Sequence, residues 1–381
     1  MAIQIREFDY TDKKRMADFV DLVDDIYEGD PTWVRPLDMD VEGKLDKKKS
    51  PFFDHGEAAS WVAYRDDKPV GRITAQVDQL HLEQHHDDVG MFGFFDTVED
   101  QEVANALIEE AEGWLRGRGM KRMRGPFSLT INEDVGCLVD GFDTPPMIMM
   151  PHHRPYQGKL IEGAGLEKAK DLYAWKYDVG KVPPRARRGH ELISKLPEVT
   201  ARPMDMKRLR EEMALLMDIY NDAWGDNWSF VPATKRECDH NADQLKMIAI
   251  PELTRVVEID GEPAAIAMAT PNLNEIIHDL GGKLFPFGVF KFLWRLKVKG
   301  PRSGRLFMLG IRSKYRGMRR YAGLSAFLYV EINDAGHRLG IDEAELSWTL
   351  EDNAAVNAGI KMMGGRIYKR YRIYEKEIGA S

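Results

Sequence analysis

The sequence predicts an α+β chain of two similar halves, each a mixed, mostly antiparallel twisted sheet flanked by helices. Three observations lead there. The chain has 381 residues, 43% of them hydrophobic, enough for two cores rather than one. An order of strand, turn, strand, further strand and helix appears in both halves. Each half then closes on a Gly-containing turn leading into a long aromatic strand, GAGLEKAKDLYAWKY at 163–177 and MGGRIYKRYRIYEKE at 363–377. The expected division is a lobe over 1–180, a Pro- and Arg-rich linker over 181–205 (VGKVPPRARRGH at its start), and a second lobe over 206–381.

The elements follow from local pattern. Phe19, Leu22, Val23 and Ile26 recur at helical spacing, which predicts a helix over Lys13–Tyr27. The basic run KLDKKKS after it reads as a solvated surface. ASWVAYRDDKPVGRITAQV is strand, turn, strand, with a short strand to follow at Gly90–Phe95. Val103, Ala106, Leu107, Ala111 and Leu115 then line one face of a helix near Glu102–Arg118. In the second half, TRVVEIDGEPAAIAMATPN repeats the hairpin and RLFMLGI is the third strand. GLSAFLYVEINDAGHRLG is the helix, AELSWTL a fourth strand, and a short helix and terminal strand complete the set.

Composition narrows the function. Lys and Arg number 54 against 62 Asp and Glu, a net charge of −8, which disfavours a general nucleic-acid coat. The two cysteines, Cys137 and Cys238, are far apart, so neither a disulfide framework nor a Cys-based metal site is expected. No run is apolar and long enough to span a bilayer, and the N-terminus lacks a signal-peptide core. The expected location is cytoplasmic, with peripheral attachment to the inner face of the membrane as an option.

The stretch that carries chemistry is LFMLGIRSKYRGMRRYAGLSAFL, Leu306–Leu328. A strand enters a basic, Gly-bearing loop that opens directly onto an amphipathic helix. The first turn of a helix offers unpaired N–H groups and a positive dipole end, suited to a diphosphate. Small residues at Ala322, Gly323 and Ser325 would let phosphate oxygens approach, and Arg316, Arg319 and Arg320 add positive charge.

These residues resemble the Gcn5-related N-acyltransferase superfamily, whose members bind acyl-coenzyme A at R/Q-x-x-G-x-G/A between a fourth strand and third helix. The matching frame is Arg320-Tyr321-Ala322-Gly323-Leu324-Ser325, with Tyr315-Arg316-Gly317 before it. The resemblance implies a coenzyme site on Leu309, Gly310, Ile311, Arg316, Gly317, Arg319, Arg320, Tyr321, Ala322, Gly323, Leu324 and Ser325. Within it, a backbone N–H near Leu309 to Ile311 would hold the oxyanion. Downstream, Asn353 and Asn357 match polar positions that commonly face the coenzyme. Ile360 stands where the superfamily carries the Tyr that protonates the departing thiolate. The first half instead begins its helix at Glu99-Asp100, which suits capping and opposes a diphosphate. It reads as a lobe that has lost the coenzyme and shapes the substrate side.

A closer resemblance runs over almost the whole chain. SPFFDHGEAASWVAYRDDKPVGRI, MFGFFDTVED, MKRMRGPFSLTINEDVGCLVDGF, MMPHHRPYQGKLIEGAGLEKAKDLYAWKYD and FMLGIRSKYRG are similar to a bacterial family of two-lobed acyltransferases that includes the bacterial ceramide synthases. It implies transfer of a fatty acyl group from acyl-coenzyme A to a long-chain amine such as a sphingoid base.

Aminolysis of a thioester also needs a proton acceptor, which no motif specifies. His278, with Asp279 or Glu275 to orient it, is one option; His152 or His153 in MMPHHRPY is another, only one of which would face a cleft from an extended strand. Asn132, Glu133 and Asp134 form a third polar group. His81 and His85 have helical ligand spacing but no third ligand in sequence, so no metal is expected. The segment GGKLFPFGVFKFLWRLKVKG, 281–300, sets Leu284, Phe285, Phe287, Phe290 and Trp294 among lysines. It reads either as contact with an anionic membrane surface or as a helix packed between lobes, and either could line a greasy channel. Trp224 and Trp228 could wall the same channel. Two other functions remain open: transfer of a short acyl group to a small amine, and a non-catalytic lipid- or coenzyme-binding module.

Overall fold

The computed structural model describes residues 2–246 and 248–379. In chain order the elements begin β1 (Ile3–Phe8), α1 (Lys13–Ile26), α2 (Asp38–Leu45), β2 (Gly56–Arg65), β3 (Lys68–Asp78), α3 (Gln79–His85), β4 (Val89–Thr97) and α4 (Gln101–Arg116). They continue with β5 (Arg122–Gly125), β6 (Cys137–Asp140), α5 (Gln157–Gly163), β7 (Glu167–Asp178), α6 (Pro184–Ser194), β8 (Val199–Arg202), α7 (Leu209–Trp224) and α8 (Lys235–Leu245). The remainder are β9 (Thr254–Ile259), β10 (Glu262–Pro271), α9 (Leu273–Ile277), α10 (Gly288–Trp294), β11 (Ser303–Ile311), α11 (Leu324–Arg338), β12 (Glu343–Leu350), α12 (Ala354–Met362) and β13 (Arg366–Glu377).

The chain forms two compact units. The first holds Met1–Leu172, Ile277–Val289 and Lys369–Ser381; the second holds Tyr173–Ile276 and Phe290–Tyr368. The linker expected over 181–205 is folded: it supplies α6 and β8 to the second unit. Pro183 and Pro184 start a helix there instead of breaking one, because proline is compatible with the first helical turn. Ala186 and Ile193 on its inner face are buried against α11. The unit boundaries also differ from the sequence expectation, since β7 begins in the first unit and ends in the second, and β13 does the reverse.

The two halves share one order of elements. The series β1, α1, α2, β2, β3, β4, α4, β5, α5, β7 is matched by β8, α7, α8, β9, β10, β11, α11, β12, α12, β13. In both, the hairpin is antiparallel and the strand after the long helix pairs parallel to the strand before it. The first unit's strands run β1-β2-β3-β4-β5-β13, with β6 also on β13; the second's run β7-β12-β11-β10-β9-β8. The first core lies under α4, whose Val103, Leu107, Ala111 and Leu115 pack with Trp61, Ile73 and Phe92. In the second, Leu324, Phe327, Leu328 and Ile332 of α11 pack with Ala265, Ala267, Leu306 and Leu346, while α7 covers Ile266, Met268 and Met308. The alternation along β10 and β11 sends successive side chains to these two layers.

The basic run after α1 is not wholly solvated. Lys44 reaches back to the carboxylates of Glu133 and Asp134 at 2.9 and 3.0 Å, which occupies that acidic cluster.

Candidate active site

The site is built where two parallel strands part. β11 and β12 are paired only from Ser303–Glu343 to Leu306–Leu346; both strands continue, to Ile311 and Leu350, without a shared ladder. A bulge makes the divergence. On the other edge of β11, Met308 faces Met268 and Leu306 faces Ala269, so Phe307 is an extra residue that bends the strand. Beyond it the direction of each N–H can be assigned. The Arg312 N–H donates to the Ala264 carbonyl, and Gly310 faces Ile266 two residues earlier in the same ladder. The N–H groups of Leu309 and Ile311 therefore point the opposite way, into the gap. Of the three residues expected to serve the oxyanion, Gly310 is turned to β10. Its glycine serves packing instead: a β-carbon there would collide with the Trp224 ring at the end of α7.

The loop that follows is held at its base. Asp222 accepts from the Ser313 N–H and hydroxyl at 2.7 and 2.9 Å, and Arg312 pairs with Asp218. Gly317 takes a left-handed backbone, φ +74°, that a side chain would strain. The chain then enters α11, and no side chain caps that helix, so the N–H groups of its first turn keep their capacity for an anion. Ala322 is exposed beside them, Tyr321 and Ser325 are half-buried, and Leu324 is buried in the core.

Two expectations are corrected here. Arg316 and Arg320 do not point as free charges at the helix start: Arg316 donates to the Ile311 and Ala223 carbonyls, and Arg320 pairs with Glu198 at 2.5 Å. Arg319 is exposed and makes no ion pair among the described residues. Gly323 is small for a different reason from the one expected. A β-carbon there would lie 3.0 Å from the Gly189 carbonyl oxygen and 3.1 Å from Ile193 on α6, so its size serves helix packing.

The corresponding place in the first unit is closed. β4 and β5 pair from Val89–Arg122 to Met91–Arg124, as their counterparts do, but the chain then stays on β4. The Phe127 N–H donates to the Phe92 carbonyl at 2.8 Å, and the Phe127 carbonyl lies against Gly93 so closely that any β-carbon would overlap it. Gln76 fastens the same carbonyl at 2.9 Å. The helix start is blocked as well: the Asp100 carboxylate accepts from the Glu102 and Val103 N–H groups of α4. One fold thus appears twice, with one strand gap filled and the other open.

No family model matches the chain. It is 43% identical over 352 residues to the bacterial ceramide synthase of Caulobacter vibrioides, covering 92% of this chain and 91% of that protein. It is also 40% identical over 372 residues to protein YghO of Escherichia coli, covering 97% of this chain and 94% of the relative. The chain belongs to the two-lobed acyltransferase family that includes the bacterial ceramide synthases. Solved structures give the same fold. A tandem Gcn5-related protein from the clavulanic acid biosynthesis pathway aligns over 100% of both chains with TM-score 0.58 at 12% identity. A Gcn5-related N-acetyltransferase from Sphaerobacter thermophilus aligns over 100% of this chain and 96% of that one with TM-score 0.55 at 14% identity. The expected tandem fold is therefore present, and the chain is an N-acyltransferase.

In this acyltransferase the two asparagines expected at the coenzyme have structural roles. Asn353 caps α12 by accepting from the Val356 N–H, and buried Asn357 accepts from the Thr349 hydroxyl at 2.7 Å and donates to the Leu350 carbonyl. Trp175 donates to the same Thr349, which completes a buried chain. An asparagine at a helix start is as readily a cap as a ligand, which the sequence pattern does not separate. Ile360 is buried, so it supplies no acid.

The catalytic candidates are dispersed. The Glu275 carboxylate accepts from the N–H groups of Arg302 and Ser303 and from the Ser303 hydroxyl at 2.8 Å, clamping the start of β11. His278 and Asp279 lie in the exposed turn after α9, in the segment assigned to the first unit, whereas Glu275 belongs to the second. His153 is buried; its Nδ1 accepts from the Leu138 N–H at 3.1 Å, and burial lowers its pKa to about 4. His152 is paired with Asp30 at 3.0 Å, and both residues sit in coil, not in the strand expected. The His81 Nε2 is engaged by Asp87 at 3.1 Å, and among the described residues no group of three or more His, Cys, Asp or Glu converges as a metal site would require. Trp228 is half-buried.

Two features were missed from sequence. Tyr329 on α11 is a buried residue whose hydroxyl has no hydrogen-bond partner among the described residues, and burial pushes its pKa up, so it stays protonated. The second is a buried group at the point where β11 and β12 separate. Glu345 accepts from the Ser347 and Tyr368 hydroxyls, and Arg305 donates to Ser347 at 2.8 Å. A Glu and a Ser inside the apolar strand AELSWTL were the available signal, since an unpaired buried carboxylate is too costly to stand alone.

Proposed function

We propose that the protein transfers a long-chain acyl group from acyl-coenzyme A to the primary amine of a lipid-like acceptor, a ceramide-type N-acylation. The observation that carries this reading is the gap between β11 and β12 beside the uncapped start of α11. Backbone N–H groups of the first helical turn, with Gly317 and Arg319, would receive the diphosphate. The pantetheine arm would run in the gap, and the N–H groups of Leu309 and Ile311 would stabilise the oxyanion formed when the amine attacks the thioester carbon. Collapse breaks the C–S bond, the Tyr329 hydroxyl supplies the proton to the departing sulfur in place of the residue absent at 360, and the proton lost by the attacking nitrogen passes through solvent water and restores the phenol. The long-chain amine acceptor is supported by the 43% identity to a bacterial ceramide synthase.

Attachment to an anionic membrane surface belongs to the same reading. Phe285, Phe287, Phe290 and Trp294 are 71, 79, 70 and 56% exposed, and Lys283, Lys291, Lys297 and Lys299 are interleaved with them. No described helix is long and apolar enough to cross a membrane.

The test is direct. Purified protein supplied with palmitoyl-coenzyme A and a sphingoid base is expected to release free thiol and yield the N-acyl product by mass spectrometry. Turnover with acetyl-coenzyme A and small amines alone would replace this reading with the short-chain one, and binding without turnover would replace it with a binding module.

A further inference from the structure

A cavity lies under α11 in the second unit, roofed by the helix and floored by β10, β11 and β12, with about 490 Å³ of empty space counting its open mouth. Its upper end is at Leu306 and Leu346, the last ladder pair before β11 and β12 part. It therefore begins where the strand gap ends. From Tyr329 at that end to Gly336 at the other, the roof spans about 10 Å of helix. Small residues line it, Ala269, Gly304, Gly336 and Ala344; Gly304 is also held to its size by the Thr270 carbonyl oxygen, 3.0 Å from where its β-carbon would lie.

The chemistry of the wall selects the ligand. Of its polar side chains, Asn333 accepts from the Tyr177 hydroxyl and the Gly180 N–H, and Arg305 is bound to Ser347. Tyr329 alone among these has a hydroxyl without a partner, and it sits at the end nearest the gap. The remaining lining is aliphatic or small. An apolar lining of this kind favours an apolar occupant, and the run of the roof is long enough for part of a hydrocarbon chain.

We propose that this cavity is the binding site for the hydrocarbon tail of the acyl donor, and that the residues at the end away from the gap, Gly336, Ile341 and Ala344, set the acyl length accepted. This inference rests on the acyl-transfer reading above. The thioester would lie in the gap beside Leu309 and Ile311, and the tail would continue past Leu306 and Leu346 beneath α11.

The experiment compares kcat/KM for octanoyl-, lauroyl- and palmitoyl-coenzyme A with one amine. Ala344→Phe is expected to lower the palmitoyl value about tenfold or more while the octanoyl value changes little, and Ile341→Ala is expected to move the preference toward longer chains. Gly336→Ala is the mild companion variant, because a β-carbon there lies 3.7 Å from Val179 and 3.8 Å from Ile341, ordinary contact; a smaller shift in the same direction is expected. Circular dichroism melts check each fold. Equal losses at every chain length, or none, would overturn the inference while leaving acyl transfer intact. If the wild type transfers no acyl group, the acyl-transfer reading fails, and fluorescence of cis-parinaric acid still decides the cavity. Saturable binding abolished by Ala344→Phe supports a hydrocarbon site; absent or unaltered binding removes it.

Discussion

Tyr329 of α11 stands against Gly359 of α12: a β-carbon at position 359 would lie 4.0 Å from the phenolic oxygen. The hydroxyl is thus carried to the flank of the helix that holds Ile360, by a residue on a different helix. Burial keeps it protonated, which a proton donor to a thiolate requires. Tyr329→Phe is expected to lower kcat about 100-fold with little change in KM for acyl-coenzyme A. Steady-state kinetics across pH, with the fold checked by circular dichroism, decides this; an unchanged kcat removes Tyr329 from the chemistry.

Arg319 is the loop arginine available to a phosphate, whereas Arg320 is already neutralised by Glu198. Arg319→Ala should raise KM for acyl-coenzyme A about three- to tenfold and weaken its salt dependence. Arg320→Ala should have the smaller effect. Kinetics at two ionic strengths would reveal the reverse order, if Arg320 swings free to bind.

Gly93 is the residue that lets the chain after β5 close the first unit's strand gap. Gly93→Ala should destabilise the protein by about 2–3 kcal/mol, because the obstruction is the backbone carbonyl of Phe127, which cannot rotate away. Urea unfolding measures it. A near-wild-type midpoint would mean that the 126–128 segment is not held as described.

Burial lowers the pKa of His153 to about 4, from an unfolded value near 6.5. The unfolded chain then binds more protons between those values, so stability falls as pH drops from about 6.5 to about 4 and does not fall further on this account below it. The loss is on the order of 3 kcal/mol. His153→Gln, which keeps a side-chain acceptor for the Leu138 N–H, should flatten that part of the curve of urea midpoint against pH. A slope as steep as wild type would assign the effect to other groups.

Phe287 and Phe290 are among the most exposed large apolar side chains of the described structure. Changing both to Ser should reduce cosedimentation with phosphatidylglycerol vesicles about tenfold or more, on the transfer value of a phenyl side chain. Turnover of a water-soluble amine should be unaffected. Equal vesicle binding by the variant would deny these residues a membrane role.

The sequence by itself determined the order of hairpin, long helix and terminal strand in each half, the tandem fold and the loop that enters α11. Those features are local: a 3.6-residue periodicity, a hairpin turn or a Gly-bearing loop is written in consecutive residues. It also distinguished the halves, since the acidic start of α4 opposes an anion in any fold. Partnership is what only the tertiary structure decided. Arg316 and Arg320 read alike with Arg319 until distant carbonyls and Glu198 occupy the first two, and Gly323 looks like a phosphate contact until α6 is seen against it. Asn353 and Asn357 became caps and interior bonds, and 181–205 became a helix and a strand, because their partners lie far away in sequence. Tyr329 and the cavity below α11 were invisible for the same reason, and Glu345, although a glutamate in an apolar strand is a signal, did not reveal its partners: such residues acquire meaning from what burial leaves beside them. Local rules specify what a segment becomes, but hydrogen-bond satisfaction and packing are properties of residues brought together by the chain's return.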